Sequence, residues 1–425
     1  MMKEPVWHSH DMMTRLAIFC FYMLTPAILC GQDQILPPKK PTSESVDEQR
    51  ADARRSKDSV ASLTAALAST DRDARLRAVM ALGGKGPAAL SAIPALEKLL
   101  RAHDLALRVE TAIALAGIGP DARATIASLE TLLKDESPAV RIAAAEALRS
   151  VRWQLLAPCR QGDIPASVVK NGKSILLNIA PRDDAPEHPP EGWCGEVAIQ
   201  EALLYHGAYF PQKAINAAGE PEHPDLYSAE IPDALKNLHA EFRKWIADRP
   251  REEPDQFLAW IRRQIAGGWP VLVGVKINPT EHEDWSLDHF SLVVGTTDNA
   301  LLVNTTWGYR QTDTDRQLGS TQEGFSFKNQ HNRYYGICIK GIKREAGSLP
   351  VRLFVLSEGQ DTVNVLVTCE DLIRGRQYAV YKSPPEKPRA VLPTMTFEAK
   401  DTVFGFYDRV DRNRPVVYRC DRQGM

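Results

Sequence analysis

The feature that most constrains this chain is a repeat of 33 residues. Arg75, Arg108 and Arg141 stand at that interval, as do Leu82, Leu115 and Leu148. Gly86-Pro87 returns as Gly119-Pro120 and Asp71 as Asp104, with no gap needed. Val60, Ile93 and Ile126 share the spacing, and so do Leu63, Leu96 and Leu129, and Leu67, Leu100 and Leu133. Within each unit the apolar residues fall at helical spacing and the Gly-Pro step interrupts them, which makes a helix–turn–helix. One such pair cannot bury its apolar face alone, so tandem copies must stack into a solenoid. The periodic arginines are expected to tie one repeat to the next rather than to bind a ligand.

Ankyrin repeats share this length, but their Thr-Pro-Leu-His signature is absent. ARLRAVMALGGKGP, ALRVETAIALAGIGP and AVRIAAAEALRSV instead resemble HEAT-type repeats, over residues 56–152. The resemblance implies either a protein-binding array or a buttress for the segment that follows.

At 425 residues the chain is long enough for two to three domains. A formal net charge of −2 gives no global attraction to nucleic acid or an anionic membrane, and no phosphate-binding glycine loop is present. Leu16 to Gln32 is an uncharged run of 17 residues behind Arg15, the layout of a secretory signal peptide over residues 1–31. Export to a periplasmic or extracellular space is therefore expected, with a lipid anchor through Cys30 as the alternative. Residues 32–55 are rich in proline, lysine and serine and read as a flexible linker. Past the signal and Cys30, the cysteines are Cys159, Cys194, Cys338, Cys369 and Cys420, an odd number for an oxidising compartment. Cys369 and Cys420 end strand-like runs and are candidates for a disulfide. Cys159 and Cys338 either pair or stay buried and reduced, which leaves Cys194 over.

After the repeats the hydrophobic period changes. Helical runs at 195–206, 211–218, 230–240 and 254–266 precede strand runs at 270–277, 289–295, 301–306 and 334–340, an α+β layout over 160–345. VRLFVL, VNVLVTC, QYAVYK, TVFGFY and VVYRC then suggest a small antiparallel β-sandwich of immunoglobulin or fibronectin type over 349–425.

PPEGWCGEVAIQEALLYHG, residues 189–207, puts Cys194 and Gly195 at the start of an amphipathic helix. There, unpaired N–H groups and the helix dipole favour an anion, and thiolate is the nucleophilic form of cysteine. The competing reading is a small apolar residue with no chemistry. A thiol nucleophile needs a base, and the base an orienting partner. DHFSLVVG places His289 at the start of an alternating strand, and LLVNTTWG places Asn304 near the end of the next. An even-numbered loop between them pairs the apolar faces consistently and sets His289 and Asn304 on one face, directly opposite or a diagonal step apart. A three-residue loop would separate them.

Cys, then His, then Asn, with the cysteine on a helix and the others on neighbouring strands, resembles the papain-like cysteine peptidase superfamily. CGEVAIQEALLYHG, DLYSAEIPDAL, HFSLVVG and LLVNTTWG are most similar to its bacteriocin-processing (double-glycine leader) branch, over roughly residues 185–340. The resemblance implies Cys194 as nucleophile, His289 as general base and acid, Asn304 as its orienting amide, and Trp307 as a shield for that hydrogen bond. Two positions depart from the pattern. His188 stands where the family has the glutamine that donates to the oxyanion, so His188 is the oxyanion candidate. Glu196 stands where proline usually follows Cys-Gly, and its carboxylate opposes thiolate formation. The Glu281-His282-Glu283-Asp284 run reads as solvated loop, and neither metal nor cofactor is expected. The expectation is an exported hydrolase acting on a peptide or amide bond through a thioacyl intermediate. Its rivals are an inactive protein-binding module built on the repeats and sandwich, and an acyltransferase using the same triad.

Overall fold

The computed structural model describes residues 57–182, 193–220, 223–246, 254–277, 287–306, 308, 310–314, 334–343, 347–359, 361–386 and 392–423. The expected signal peptide over 1–31 and linker over 32–55, together with Cys30, His188, Trp307 and the acidic run at 281–284, lie outside the described residues. The chain divides after Val151 into two compact units.

The first unit is helical: α1 Val60–Ala66, α2 Arg72–Lys85, α3 Ile93–Leu99, α4 Leu105–Ile118, α5 Ile126–Leu132 and α6 Pro138–Val151. Each repeated residue type has a mechanical job. Asp71 and Asp104 are N-caps, the first accepting the Asp73 N–H at 2.9 Å and the second the Ala106 N–H at 2.8 Å. Gly86 and Gly119 end α2 and α4 at φ +56° and +77°, a conformation that favours glycine, and the following proline opens a 3-10 turn. The arginines act differently from expectation. Arg75, Arg108 and Arg141 each donate to two carbonyls in the turn before their own helix, at 2.7 and 3.3, 2.9 and 3.1, and 2.8 and 2.9 Å. They give donors to carbonyls of the turn between the two helices of a repeat. Arg108 alone of the three also reaches the next repeat, through Asp135 at 3.0 Å. Leu82, Leu115 and Leu148 are fully buried.

The second unit contains β1 Val168–Asn171, β2 Ser174–Leu177, α7 Cys194–Tyr205, β3 Ala208–Tyr209, α8 Gln212–Asn216, α9 Ile231–Asn237, β4 Ala240–Lys244, α10 Pro254–Ala266, β5 Val271–Val275, β6 His289–Thr296, β7 Ala300–Asn304, β8 Arg310–Thr314 and β9 Gly336–Ile342. Every helix and strand run expected in this segment is present, and β1, β2, β3, β4 and β8 are added. All of these strands except β3 form one antiparallel sheet in the order β1-β2-β6-β5-β9-β4, with β7 on β6 and β8 on β7. Its core joins Ile199 and Leu203 of α7, Phe257 and Ile261 of α10, and Leu272, Leu292 and Ile337 of the sheet.

Beyond it follow β10 Val351–Glu358, β11 Thr362–Cys369, β12 Gln377–Ser383, β13 Met395–Glu398, β14 Phe404–Asp411 and β15 Val416–Arg422. They make two antiparallel sheets, β10-β11-β14 and β13-β12-β15, and the second is extended by β3 through Tyr209↔Val416 and Ala208↔Val417. Leu204 and Tyr209 also enter the core of these strands. Residues 349–425 are thus packed into the same unit as the middle segment rather than standing apart. No disulfide forms among the five described cysteines. Cys369 and Cys420 are buried thiols in the core of the C-terminal strands, Cys338 lies in the core of the large sheet, and the Cys159 thiol donates to the Tyr407 hydroxyl at 3.3 Å.

The stacking of α2 on α4 depends on two glycines. A Cβ on Gly117 would stand 2.6 Å from the Gly83 carbonyl oxygen, and one on Gly83 would stand 2.9 Å from the Ala114 Cα. Gly117→Ala is expected to destabilise the helical unit by about 1–3 kcal/mol, the usual scale of overpacking. Gly162→Ala, where a Cβ meets nothing within 4 Å, is the control and should leave the transition in place. Thermal unfolding followed by far-UV circular dichroism checks both.

Candidate functional site

Cys194 is the first residue of α7, and Trp193 at its N-cap makes no side-chain cap. Trp193 instead anchors the helix start by donating its indole N–H to the Pro224 carbonyl at 2.7 Å. The half-buried Cys194 sulfur accepts the backbone N–H groups of Phe290 and Gly195. β7 runs only to the position opposite Leu292, so Phe290 lies on a stretch of β6 that β7 does not cover, and the thiol sits there. It is therefore next to the backbone of His289. Two N–H donors and a helix N-terminus favour thiolate. Burial works the other way and is larger. It pushes the thiol up to about 12, aided by the carboxylates of Glu196 and Asp225.

His289 is buried, and its Nε2 is 3.3 Å from the Thr306 Oγ1. Burial pushes the imidazole down to about 3. The neighbouring carboxylate of Asp288 is held by the Ile277 N–H at 2.7 Å and by Lys276 at 3.6 Å. At neutral pH the Cys194 thiol and the His289 imidazole are each uncharged.

Asn304 is not beside His289. The β6–β7 loop is even, as expected, with residues 297–300 between the paired Thr296 and Leu301. A bulge at Val294 then shifts the register, so that Asn304 pairs with Leu292. A slip of one residue changes which face a side chain occupies. Asn304 shares the face of Leu292 and Phe290, against α7, while His289 and Ser291 alternate to the other. There the Asn304 amide donates to Glu201 Oε2 and the Ile179 carbonyl, both at 3.0 Å, and accepts Arg310 Nε at 2.7 Å. Arg182 completes the cluster. Its backbone N–H donates to Glu201 Oε1 at 2.6 Å, and its guanidinium reaches Gln200 at 2.7 Å and Glu358 at 2.5 Å. Burial raises Glu201 to about 8 against these partners. The expected orienting amide is thus part of a buried polar clasp on α7.

Thr306, Glu201, Arg182 and Arg310 were not expected at the site. The hydroxyl pair before Trp307-Gly308 was a readable signal for a partner to His289. Glu201, two helical turns from Cys194 on the same face, was another. Glu196 is wholly buried as well, and its Oε1 accepts Asn216 Nδ2 at 2.9 Å and the Leu226 N–H at 3.1 Å. Its Oε2 has no hydrogen-bond partner, and burial raises the carboxyl to about 7. Among the described residues no three His, Cys, Asp or Glu side chains gather in a way that would hold a metal ion.

Residues 60–149 match the family model for HEAT repeats, which covers less than half of the chain. The helix pairs of the first unit are HEAT-type repeats, an architecture that commonly mediates protein interactions. No curated protein matches the chain.

The raised carboxyl of Glu196 has a signed consequence for stability. An acid whose pKa rises on folding contributes stability that is complete below its unfolded value of 4.5 and is lost as pH rises through about 7. A tenfold change in a protonation equilibrium is worth about 1.4 kcal/mol, so between pH 5 and pH 8.5 the wild type should lose roughly 2–3 kcal/mol relative to Glu196→Gln. Glu201 and His289 titrate in both proteins and cancel from that difference. Urea midpoints across the pH range check it, and parallel curves for the two proteins would contradict it.

Proposed function

We propose that the second unit is a papain-like cysteine hydrolase of an exported protein, acting on a peptide or amide bond. Cys194 is the nucleophile, His289 its general base and acid, and Thr306 the residue that orients the imidazole, in the place first expected of Asn304. The observation that carries the reading is the position of the thiol: on a helix N-terminus, hydrogen-bonded by the backbone of Phe290, the residue that follows His289. His289 alternates to the other face of β6, with Nε2 at Thr306, so the reading requires its imidazole to turn about the start of the strand to reach the sulfur. Because the pair is neutral at rest, the proton moves from sulfur to His289 as sulfur attacks the carbonyl. The backbone N–H groups at the start of α7 receive the oxyanion. His289 then protonates the leaving amine as the C–N bond breaks, and water, deprotonated by His289, hydrolyses the thioester. With an amine in place of water the same centre performs acyl transfer.

A second reading, a non-catalytic protein-binding module, is favoured by one observation: burial and two carboxylates hold the thiol near 12. Iodoacetamide labelling of Cys194 in the full chain, read by peptide mass spectrometry across pH, separates the two. Under the enzymatic reading His289→Ala slows labelling at neutral pH by roughly 100-fold, the lower range of general-base contributions, and Thr306→Val slows it less. Labelling that is equally slow in wild type and His289→Ala, rising only with bulk thiol ionisation, leaves the binding-module reading standing.

A further inference from the structure

The wall beside the thiol bears negative charge. Glu196 and Cys194 share the first turn of α7, and the Glu196 carboxylate is buried with Oε2 unpartnered. Its Oε1 is bonded to the N–H of Leu226, and the preceding residue, Asp225, is half-buried at the same edge. Both carboxylates act on the Cys194 sulfur. The segment that carries Asp225 is fastened over the helix start: the Pro224 carbonyl accepts both Trp193 Nε1 and Asn216 Nδ2, at 2.7 and 3.2 Å. Glu230, further along the segment, is paired with the His223 ring. Tyr227 lies in the same segment with its ring 4.5 Å from that of His223, and it is 47% exposed. The edge of the thiol therefore combines a half-buried carboxylate, a buried one behind it, and an exposed aromatic ring.

On the reading of Cys194 as nucleophile, we infer that the substrate carries a cationic side chain, lysine- or arginine-like, next to the scissile carbonyl, and that Asp225, backed by Glu196, selects it. A cation in that position offsets the negative charge beside the sulfur. Each carboxylate opposes ionisation of the sulfur, and an opposite charge within a few ångströms reverses that effect. The exposed Tyr227 ring offers a cation–π contact to the same group. An apolar side chain does neither, and an acidic one adds a third like charge. Binding energy is then used where the sulfur reacts, so the selectivity falls on the rate of acylation rather than on binding alone.

The test uses dipeptide vinyl sulfones with lysine, norleucine or glutamate beside the reactive carbon, with second-order labelling of Cys194 in the full chain read by mass spectrometry. Lysine is expected to exceed norleucine by roughly tenfold or more, the scale on which one facing charge changes thiol ionisation, with glutamate slowest. Asp225→Asn should bring the lysine-to-norleucine ratio near unity. Glu196→Gln, which keeps the acceptor for Asn216 and Leu226, should lower it partway. Equal lysine and norleucine rates in the wild type, or an unchanged ratio in Asp225→Asn, overturns the inference. If iodoacetamide labelling nevertheless depends on His289, only the charge preference falls. If no reagent labels Cys194 in a His289-dependent way, the nucleophile reading falls with it.

Discussion

The second unit is organised around a helix that has no solvent-exposed face. From Gly195 to Tyr205 every residue of α7 is buried, including Glu196, Gln200 and Glu201. A polar group taken from water into such a place costs several kcal/mol unless it is bonded. The surrounding structure supplies those bonds. Gln200 donates to the Phe210 carbonyl at 2.6 Å, Glu201 takes Arg182 and Asn304, and Glu196 takes Asn216 and Leu226. Arg352 donates to the Tyr205 carbonyl at 2.9 Å, at the negative end of the helix. These partners come from segments far apart in the chain, so holding α7 and assembling the unit are one event.

The same burial sets the chemistry available to Cys194. A helix N-terminus stabilises an anion by about 0.3–1 kcal/mol, which is less than a tenfold change in ionisation. Burial of an ionisable group changes its ionisation by several powers of ten. Burial wins at both Cys194 and His289, in opposite directions, and each rests uncharged. Chemistry that needs a preformed thiolate–imidazolium pair is disfavoured by such a site. Chemistry in which the proton moves during attack, or in which the ligand brings a compensating charge, is not.

The repeat unit solves a simpler problem. Its helices are short, and an isolated helix of such length is marginal in water, so stability has to come from stacking. Stacking succeeds because the repeats bring the same parts, a cap such as aspartate at the helix start and an arginine closing the turn, and because Gly83 and Gly117 stand where the backbones of α2 and α4 touch. These parts are local, which is why the HEAT-type character of residues 60–149 was visible without the structure.

What the sequence by itself determined was whatever depends on neighbours within a few residues. The repeat period, the helix carrying Cys194, the strand beginning at His289 and the even loop after it all follow from local hydrophobic period and turn chemistry. Only the tertiary structure decided which strands pair and in what register. The bulge at Val294 leaves no mark in the pattern of HFSLVVG, yet it turns Asn304 away from His289 and toward Glu201. β3, two residues long, is too short to carry a period, and it became a strand because β15 was there to pair with it. Thr306 met His289 for the same kind of reason, since the chain bends after β7 ends. Face and register are set by the sum of hydrogen bonds and burial across the whole sheet, and a single unpaired residue changes both.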